Sequence, residues 1–321
     1  MKDHHPSSDK RSWWVIANPT AQSNNCRKKL PGYLNAWKSA GINFILTQTE
    51  YEGHAGELVI EGIQKGYRFI LIIGGDGTLH EAVNGILKQA LIPASEIYIA
   101  IVPLGTANDW ARFYKFPIEY NAVINMLKTG KTRVQDAGKL FFPQTGKTHF
   151  FINVFGAGYD GYVAKQLQSG EKKKWGKASY LLTVVRGLFK YKASETIVSD
   201  HTGKTWRQDS FFSVNAGITT FSGNGMRIVP HARPDDGLLG VTLIRQMPVW
   251  RLAANLYRLF SGTLIHHPLV DHGQQASITL DYAPSGAAID VEADGEWLGV
   301  TPVIVTCLSN AIGIVVPLES A

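Results

Sequence analysis

The chain has 321 residues, 45% of them hydrophobic and 18% charged, with a net charge of +6. That composition describes an ordinary folded protein of one or two domains and excludes a disordered chain, and its hydrophobic runs fall short of the ~18 apolar residues a membrane-spanning helix needs. Two distant cysteines, Cys26 and Cys307, and a polar opening stretch at 1–11 exclude a disulfide framework and a signal peptide, so a cytoplasmic location is expected.

The first third alternates apolar strands with helical patterns. Residues 13–17 read as a buried strand ending at Asn18-Pro19, and Leu30, Leu34 and Trp37 recur at helical spacing across 25–40. A strand at 42–47 and a helix at 55–65 follow. The apolar run 69–73 is a third strand that leads straight into Gly74-Gly75-Asp76-Gly77-Thr78, with a helix at 79–89 and a strand at 97–102 behind it. Strands and helices alternating in this way imply a parallel sheet with helices on both faces.

From about Asp136 the texture changes. Residues 139–142 and 149–154 flank Pro143-Gln144-Thr145-Gly146-Lys147 as a β-hairpin, and strands are predicted at 194–199, 209–215, 240–244, 277–282, 288–292 and 303–308. Two helical patterns, at 176–190 and 248–261, interrupt a segment that otherwise reads as a β-sandwich.

In a parallel sheet, ligands bind beyond the carboxyl ends of the strands. Gly74-Gly75-Asp76-Gly77-Thr78 sits at such an end, where glycines let bare N–H groups approach a ligand and a helix N-terminus favours an anion. Asp76 adds a carboxylate and Thr78 a hydroxyl; an isolated Asp-Gly would mean only a tight turn, but the flanking glycines, strand and helix exceed what a turn requires. The second such loop is Pro103-Leu104-Gly105-Thr106-Ala107-Asn108-Asp109, whose plainer reading is a helix cap by Asn108 or Asp109.

These residues carry a resemblance. Gly74 to Thr78 with Leu79-His80-Glu81-Ala82-Val83-Asn84-Gly85, then 103–109, resembles the diacylglycerol kinase catalytic domain family, which includes bacterial soluble lipid kinases and is related to sphingosine and ceramide kinases. Asn18-Pro19, Thr49 with Gly53-His54-Ala55, the 228–239 segment and Asp294-Gly295-Glu296 match in order, so the resemblance spans nearly the whole chain. It implies that Asn18, Pro19, Thr20, Thr49, Gly74, Gly75, Asp76, Gly77, Thr78, Leu79, His80, Glu81, Gly105, Thr106 and Asn108 line an ATP site. Asp76 would lie beside the phosphates and act through magnesium and water, with Asp109 and Asp136 extending the carboxylate network. Arg233, Asp236 and Leu238 match a structural magnesium segment, in which Asp236 alone offers an ionised side chain and Arg233 stands where a lysine is expected. Glu296, with Asp294 beside it, matches the proposed general base.

The chemistry agrees with this assignment. Phosphoryl transfer needs donors for phosphate oxygens, carboxylates for Mg2+ and a base near the acceptor hydroxyl. Glu296 or Asp76 can take that proton, and Glu296 is preferred. Asp294 and Glu296, two apart, would share a face of an extended strand unless Gly295 breaks it.

Other patterns carry less. Gly156-Ala157-Gly158-Tyr159-Asp160-Gly161 fits a dinucleotide fingerprint but lies in the β-rich half; by the resemblance to sphingosine kinases, Asp160 is a candidate to face the acceptor. Gly-Lys-Thr at 130–132, 146–148 and 203–205 lacks the glycine of a P-loop, and His4-His5 and His266-His267 are given no metal. The basic run 171–177, with Arg186, Lys190 and Lys192 after it, reads as a solvated face or as a patch docking on anionic membrane.

The expected protein has an α/β nucleotide-binding domain over 12–138, rejoined by a final strand at 303–317, and a β-sandwich-like acceptor domain over 139–302. The active site is expected between them, where closure would exclude water. The expected activity is an ATP- and Mg2+-dependent lipid kinase whose substrate is presented at a membrane surface, without nucleic acid, a homodimer being left open. A nicotinamide nucleotide kinase and a non-catalytic nucleotide- or lipid-binding regulator are the alternatives.

Overall fold

The computed structural model describes residues 11–169 and 184–318; the basic run 171–177 and the first part of the 176–190 helical pattern lie outside them. By its internal contacts the chain divides into two compact units. One runs to Gln135 and resumes at Asn310, and the other spans Asp136–Ser309.

The first unit is built on a parallel sheet. β1 (Ser12–Ala17), β2 (Asn43–Gln48), β3 (Phe69–Gly74) and β4 (Tyr98–Pro103) lie in the order β2-β1-β3-β4. The end of the last strand joins in parallel beside β4, with Gly313 opposite Tyr98. All six residues of β3 are buried, as a strand flanked by neighbours and covered by helices requires, and its sequence is a continuous apolar run. β2, at the edge, buries nothing fully and leaves Ile45 exposed.

The helices are α1 (Ala21–Ser39), α2 (His54–Gln64), α3 (Asp76–Lys88), α4 (Asp109–Phe113) and α5 (Tyr120–Thr129). α2 and α3 pack almost backbone to backbone, since a Cβ on Gly85 would lie 2.8 Å from the Gly56 Cα. α3 begins at Asp76, earlier than its apolar pattern predicts. Periodicity finds a helix by its buried face and is blind to a polar first turn. The connection from β1 leads outward to β2 and that from β3 leads the other way to β4. The crevice at this reversal opens beyond the ends of β1 and β3.

The second unit is antiparallel. It contains β5 (Lys131–Phe142) from Asp136 onward, β6 (Lys147–Phe151), β7 (Val154–Gly158), α6 (Tyr159–Ser169), β8 (Glu195–Asp200) and β9 (Thr205–Gly217). The short pair β10 (Phe221–Ser222) and β11 (Met226–Arg227) follows, then β12 (Leu239–Arg245), β13 (Val270–Gln275), β14 (Ser277–Tyr282), β15 (Asp290–Ala293), β16 (Glu296–Val300) and β17 (Val303–Val316) up to Ser309.

Long β9 serves two layers. Its first half pairs with β8 and so joins β14 and β17; its second half pairs with β7 and β12. Phe151, Phe155, Phe211, Val214, Val303 and Val305 fill the core where these layers meet, as in a sandwich. β13 escapes the sequence reading because it pairs with β12 and is buried fully only at Val270, so VDHGQQ shows no apolar run.

Candidate active site

The crevice of the first unit is assembled from the ends of β1 and β3 and the loop after β4. The Asn18 N–H donates to the Ile73 carbonyl at 2.9 Å, and its side-chain amide donates to the Thr78 hydroxyl at 3.0 Å. The Asn18 side-chain Oδ1 accepts from the N–H and hydroxyl of Thr20, while the Thr49 N–H reaches the Ala17 carbonyl at 3.0 Å. Asn18, Pro19, Thr20 and Thr49 are thereby brought to the start of α3.

Asp76 ties the two glycine loops together. The Asn108 N–H donates to Asp76 Oδ2 at 2.7 Å and the Asp109 N–H to Oδ1 at 3.1 Å. Asn108 adopts a left-handed backbone, φ +53°, and its side chain bonds back to Gly105 and Pro103, stapling the loop upon itself. Gly75 and Gly105 touch through their backbones; a Cβ on Gly75 would lie 2.9 Å from the Gly105 Cα, so no side chain fits there. The first turn of α3 leaves its N–H groups without helical partners, which is the arrangement that receives phosphate oxygens. Beside the 103–108 loop lies a cleft of about 580 Å³ with Lys29, Arg112 and Lys115 among its lining residues, and Thr106 is exposed at the loop tip.

Not every expected residue presents its side chain. Leu79 and His80 are buried, at 1% and 7% exposure, and Asn84 of the next turn bonds to His80, so these two side chains belong to the packed face of α3. Glu81 accepts the Ala55 N–H at 3.2 Å and caps α2, which ties the 49–55 stretch to α3. Asp109, also buried, meets Asp76 through its main-chain N–H, and its carboxylate lies 3.7 Å from Arg112 Nε.

In the second unit, Asp136 is fully buried and accepts the Gly237 N–H at 2.7 Å. The Cys307 thiol also bonds to Asp136; burial, then the charges of Asp136 and Asp236, push that thiol up to about 12. The expected metal segment is a hydrogen-bonded turn. Asp236 uses one oxygen for the Leu238 N–H and the other for the Gln274 amide, and Arg233 is exposed. Asp236 is the one ionised side chain of this segment and both its oxygens accept hydrogen bonds, so Arg233 and Leu238 could offer a magnesium ion only their main-chain carbonyls. Among the described residues no cluster of three His, Cys, Asp or Glu is arranged to hold a metal.

Asp294 and Glu296 do not share the face of one strand. Asp294 and Gly295, with φ of +52° and +90°, form the two-residue turn between β15 and β16, and Glu296 opens β16 opposite Ala293. Asp294 accepts N–H bonds from Ile152, Asn153 and Val154 at 3.0–3.2 Å. Those bonds make it a clamp on the start of β7. Glu296 stays half-buried at the mouth of the hairpin.

Asp160, in the first turn of α6, lies in a buried polar cluster. It accepts from the Ser213 hydroxyl, and Asn215 donates to the Ser213 oxygen at 2.7 Å. Burial raises the Asp160 carboxyl, while its bonds to Ser213 and Asn215 pull it back. Glu292, which the sequence pattern offers only as the end of a strand, is 4% exposed in the same cluster, with a carboxyl held well above the usual range by burial and by the charge of Asp160. Its signal was available as an acidic residue between Val291 and Ala293, two positions before the turn.

Comparison with known proteins matches these halves separately. The diacylglycerol kinase catalytic domain family matches residues 12–140, and the YegS C-terminal NAD kinase beta sandwich-like domain matches 153–316. A diacylglycerol kinase of Staphylococcus haemolyticus is 26% identical over 303 residues, covering 94% of this chain and 87% of the relative. That of Staphylococcus carnosus is 24% identical, covering 94% of each. Among solved structures, a diacylglycerol kinase from Bacillus anthracis shares the fold with a TM-score of 0.70 at 18% identity, covering 98% of this chain and 99% of the other. A second structure from that organism reaches 0.76 at 21%, with the same coverage. With both halves of the chain matched in order, the chain belongs to the diacylglycerol kinase catalytic domain family, a family of lipid kinases.

Proposed function

We propose that the chain transfers the γ-phosphoryl group of ATP to the hydroxyl of a diacylglycerol-like or sphingoid-type lipid. The observation that carries this reading is the joining of Asn18, Gly75, Asp76, Thr78, Gly105 and Asn108 into one anion-ready floor at the reversal point of a parallel sheet. In this reading the first unit is the nucleotide half and the second the acceptor half. Asn18, Thr49 and Thr106 orient the nucleotide, and the first-turn N–H groups of α3 hold its phosphates. Asp76 would hold a magnesium ion through water beside the triphosphate, and the ion would supply neutralisation of the phosphate charge. Asp76 keeps the second loop in register against the first. Glu296 accepts the hydroxyl proton as the new O–P bond forms and ADP leaves, and the Asp160 cluster receives the polar end of the acceptor.

Such a lipid has to be met at a membrane surface. Among the described residues no helix is long and apolar enough to cross one. The two short helices Val249–Ala254 and Leu256–Ser261 pack Leu252 and Leu259 inward and turn Trp250, Leu256, Tyr257 and Phe260 outward, each more than half exposed. Arg251 and Arg258 lie over the Trp250 and Tyr257 rings at 5.1 and 5.7 Å. Aromatic rings paired with arginines suit an anionic lipid interface.

The test is transfer of labelled γ-phosphate from ATP, with magnesium, into a panel of lipids in mixed micelles, with NAD as a soluble acceptor and Glu296→Gln as the blank. Label in a lipid and none with the variant is the expected result. Label in NAD alone would overturn the lipid reading in favour of a nicotinamide nucleotide kinase. ATP binding without transfer to any acceptor would leave the regulator.

A further inference from the structure

The Asp294-Gly295 turn is held from a second side. Glu292 Oε2 accepts the Gly295 N–H at 2.8 Å. Glu292 lies on β15 opposite Gly156 of β7, and Gly156 lies opposite Asn215 of β9. Residues directly opposed across antiparallel strands share a face, so these three form a row. Asp160, from α6, comes down on that row; a Cβ at Gly156 would sit 2.9 Å from the Asp160 Cβ and 3.3 Å from the Glu292 carboxyl carbon. The glycine makes the space in which two acidic side chains meet.

We propose that Glu292 is the positioning residue of the acceptor site: wedged over Gly156 against Asp160, it holds the Asp294-Gly295 turn through the Gly295 N–H and so sets where Glu296 points. This rests on the reading of Glu296 as the base.

The surroundings define the charge state that does this. β9 contributes Ser213 and Asn215, which are neutral. α6 contributes Asp160 and also Lys165, which is drawn to Asp290 at 2.8 Å. The hairpin contributes Asp290, Asp294 and Glu296, and Tyr191 approaches from the Gly158 side. Among the described residues no cation bonds to Glu292 or Asp160. Two carboxylates packed together without a cation, Glu292 buried and Asp160 half-buried, do not both ionise readily. Asp160 has two side-chain donors that pull its carboxyl back and Glu292 has one N–H, so of the two Glu292 is held further toward its protonated form. As pH rises through its raised value Glu292 ionises against Asp160, the carboxyl is pushed from its place, and the turn moves with it.

An unfolded glutamate ionises near pH ~4.3, and the folded one higher. Between those values the folded state binds more protons than the unfolded one, so the Glu292 contribution is intact below pH ~4.3 and falls as pH rises toward the folded value.

The experiment compares Glu292→Leu and Glu292→Gln in the full-length protein by three readouts: kcat against KM for ATP, the pH profile of kcat, and amide hydrogen exchange at Gly295. Misplacing a reacting group by about 1 Å costs on the order of 100-fold, so Glu292→Leu is expected to lower kcat by that factor with KM for ATP unchanged. Glu292→Gln keeps a carbonyl for the Gly295 N–H and cannot ionise. It is expected to recover at least about 10-fold over the leucine variant and to lose the decline with rising pH due to Glu292. Gly295 exchange is expected to be slow in the wild type and Glu292→Gln and fast in Glu292→Leu. Wild-type kcat and pH profile in Glu292→Leu would overturn the proposal, as would equal Gly295 protection in all three proteins. The exchange readout needs no acceptor. If the wild type phosphorylates no lipid, the lipid-kinase reading fails while Gly295 protection still decides whether Glu292 holds the turn.

Discussion

Removing the Asp76 carboxylate should loosen the second loop before it affects any chemistry. Two main-chain donors, Asn108 N–H and Asp109 N–H, end on its two oxygens. A hydrogen bond to an ionised group contributes about 1.5–3 kcal/mol. Asp76 is half-buried, water replaces part of the loss, and the lower end applies. Asp76→Ala is therefore expected to cost about 3 kcal/mol, and Asp76→Asn, which keeps one acceptor oxygen, about half of that. For a folding unit of this size the alanine variant should melt about 6–12 °C lower. The assay is thermal and urea denaturation without nucleotide, followed by calorimetric titration with ATP. An alanine variant that melts within about 1 °C of the wild type would refute the reasoning, because the two bonds could then not be holding the loop. The same result would return Asp76 to a purely catalytic reading.

Gly105→Ala drives a methyl into the Gly75 backbone, and overpacking of this kind costs about 1–3 kcal/mol; ATP affinity should fall at least tenfold by calorimetry, and an unchanged Kd would contradict the close approach. Glu296→Gln should lower kcat by about 100-fold or more with ATP affinity intact, and full turnover would move the base elsewhere. Trp250→Ala with Tyr257→Ala should reduce co-sedimentation with anionic vesicles while sparing ATP binding; undiminished sedimentation would remove those helices from the membrane contact.

The glycine loops were legible because their chemistry is local. Gly74 to Thr78 follows an all-apolar strand, and a strand, a glycine turn and a helix start are specified within a few residues of one another. The parallel architecture of the first unit follows from the same strand and helix alternation. The family match in the second half fixed attention on Asp294-Gly295-Glu296, and the Asp-Gly pair itself signals a hairpin turn. What each carboxylate does there was not legible. Asp294 is committed by donors at residues 152 to 154, about 140 positions away in sequence.

Sequence by itself determined the α/β and β-rich halves, the two glycine loops and the family, since apolar periodicity and glycine turns act over short stretches of chain. Tertiary structure alone decided that Asp76 binds the second loop and that Leu79 and His80 face the core. It also decided that both Asp236 oxygens are engaged by Leu238 and Gln274, and that Glu292 meets Asp160 over Gly156. A carboxylate's role depends on which donors and charges surround it, and in this protein those come from strands and helices that only folding brings together.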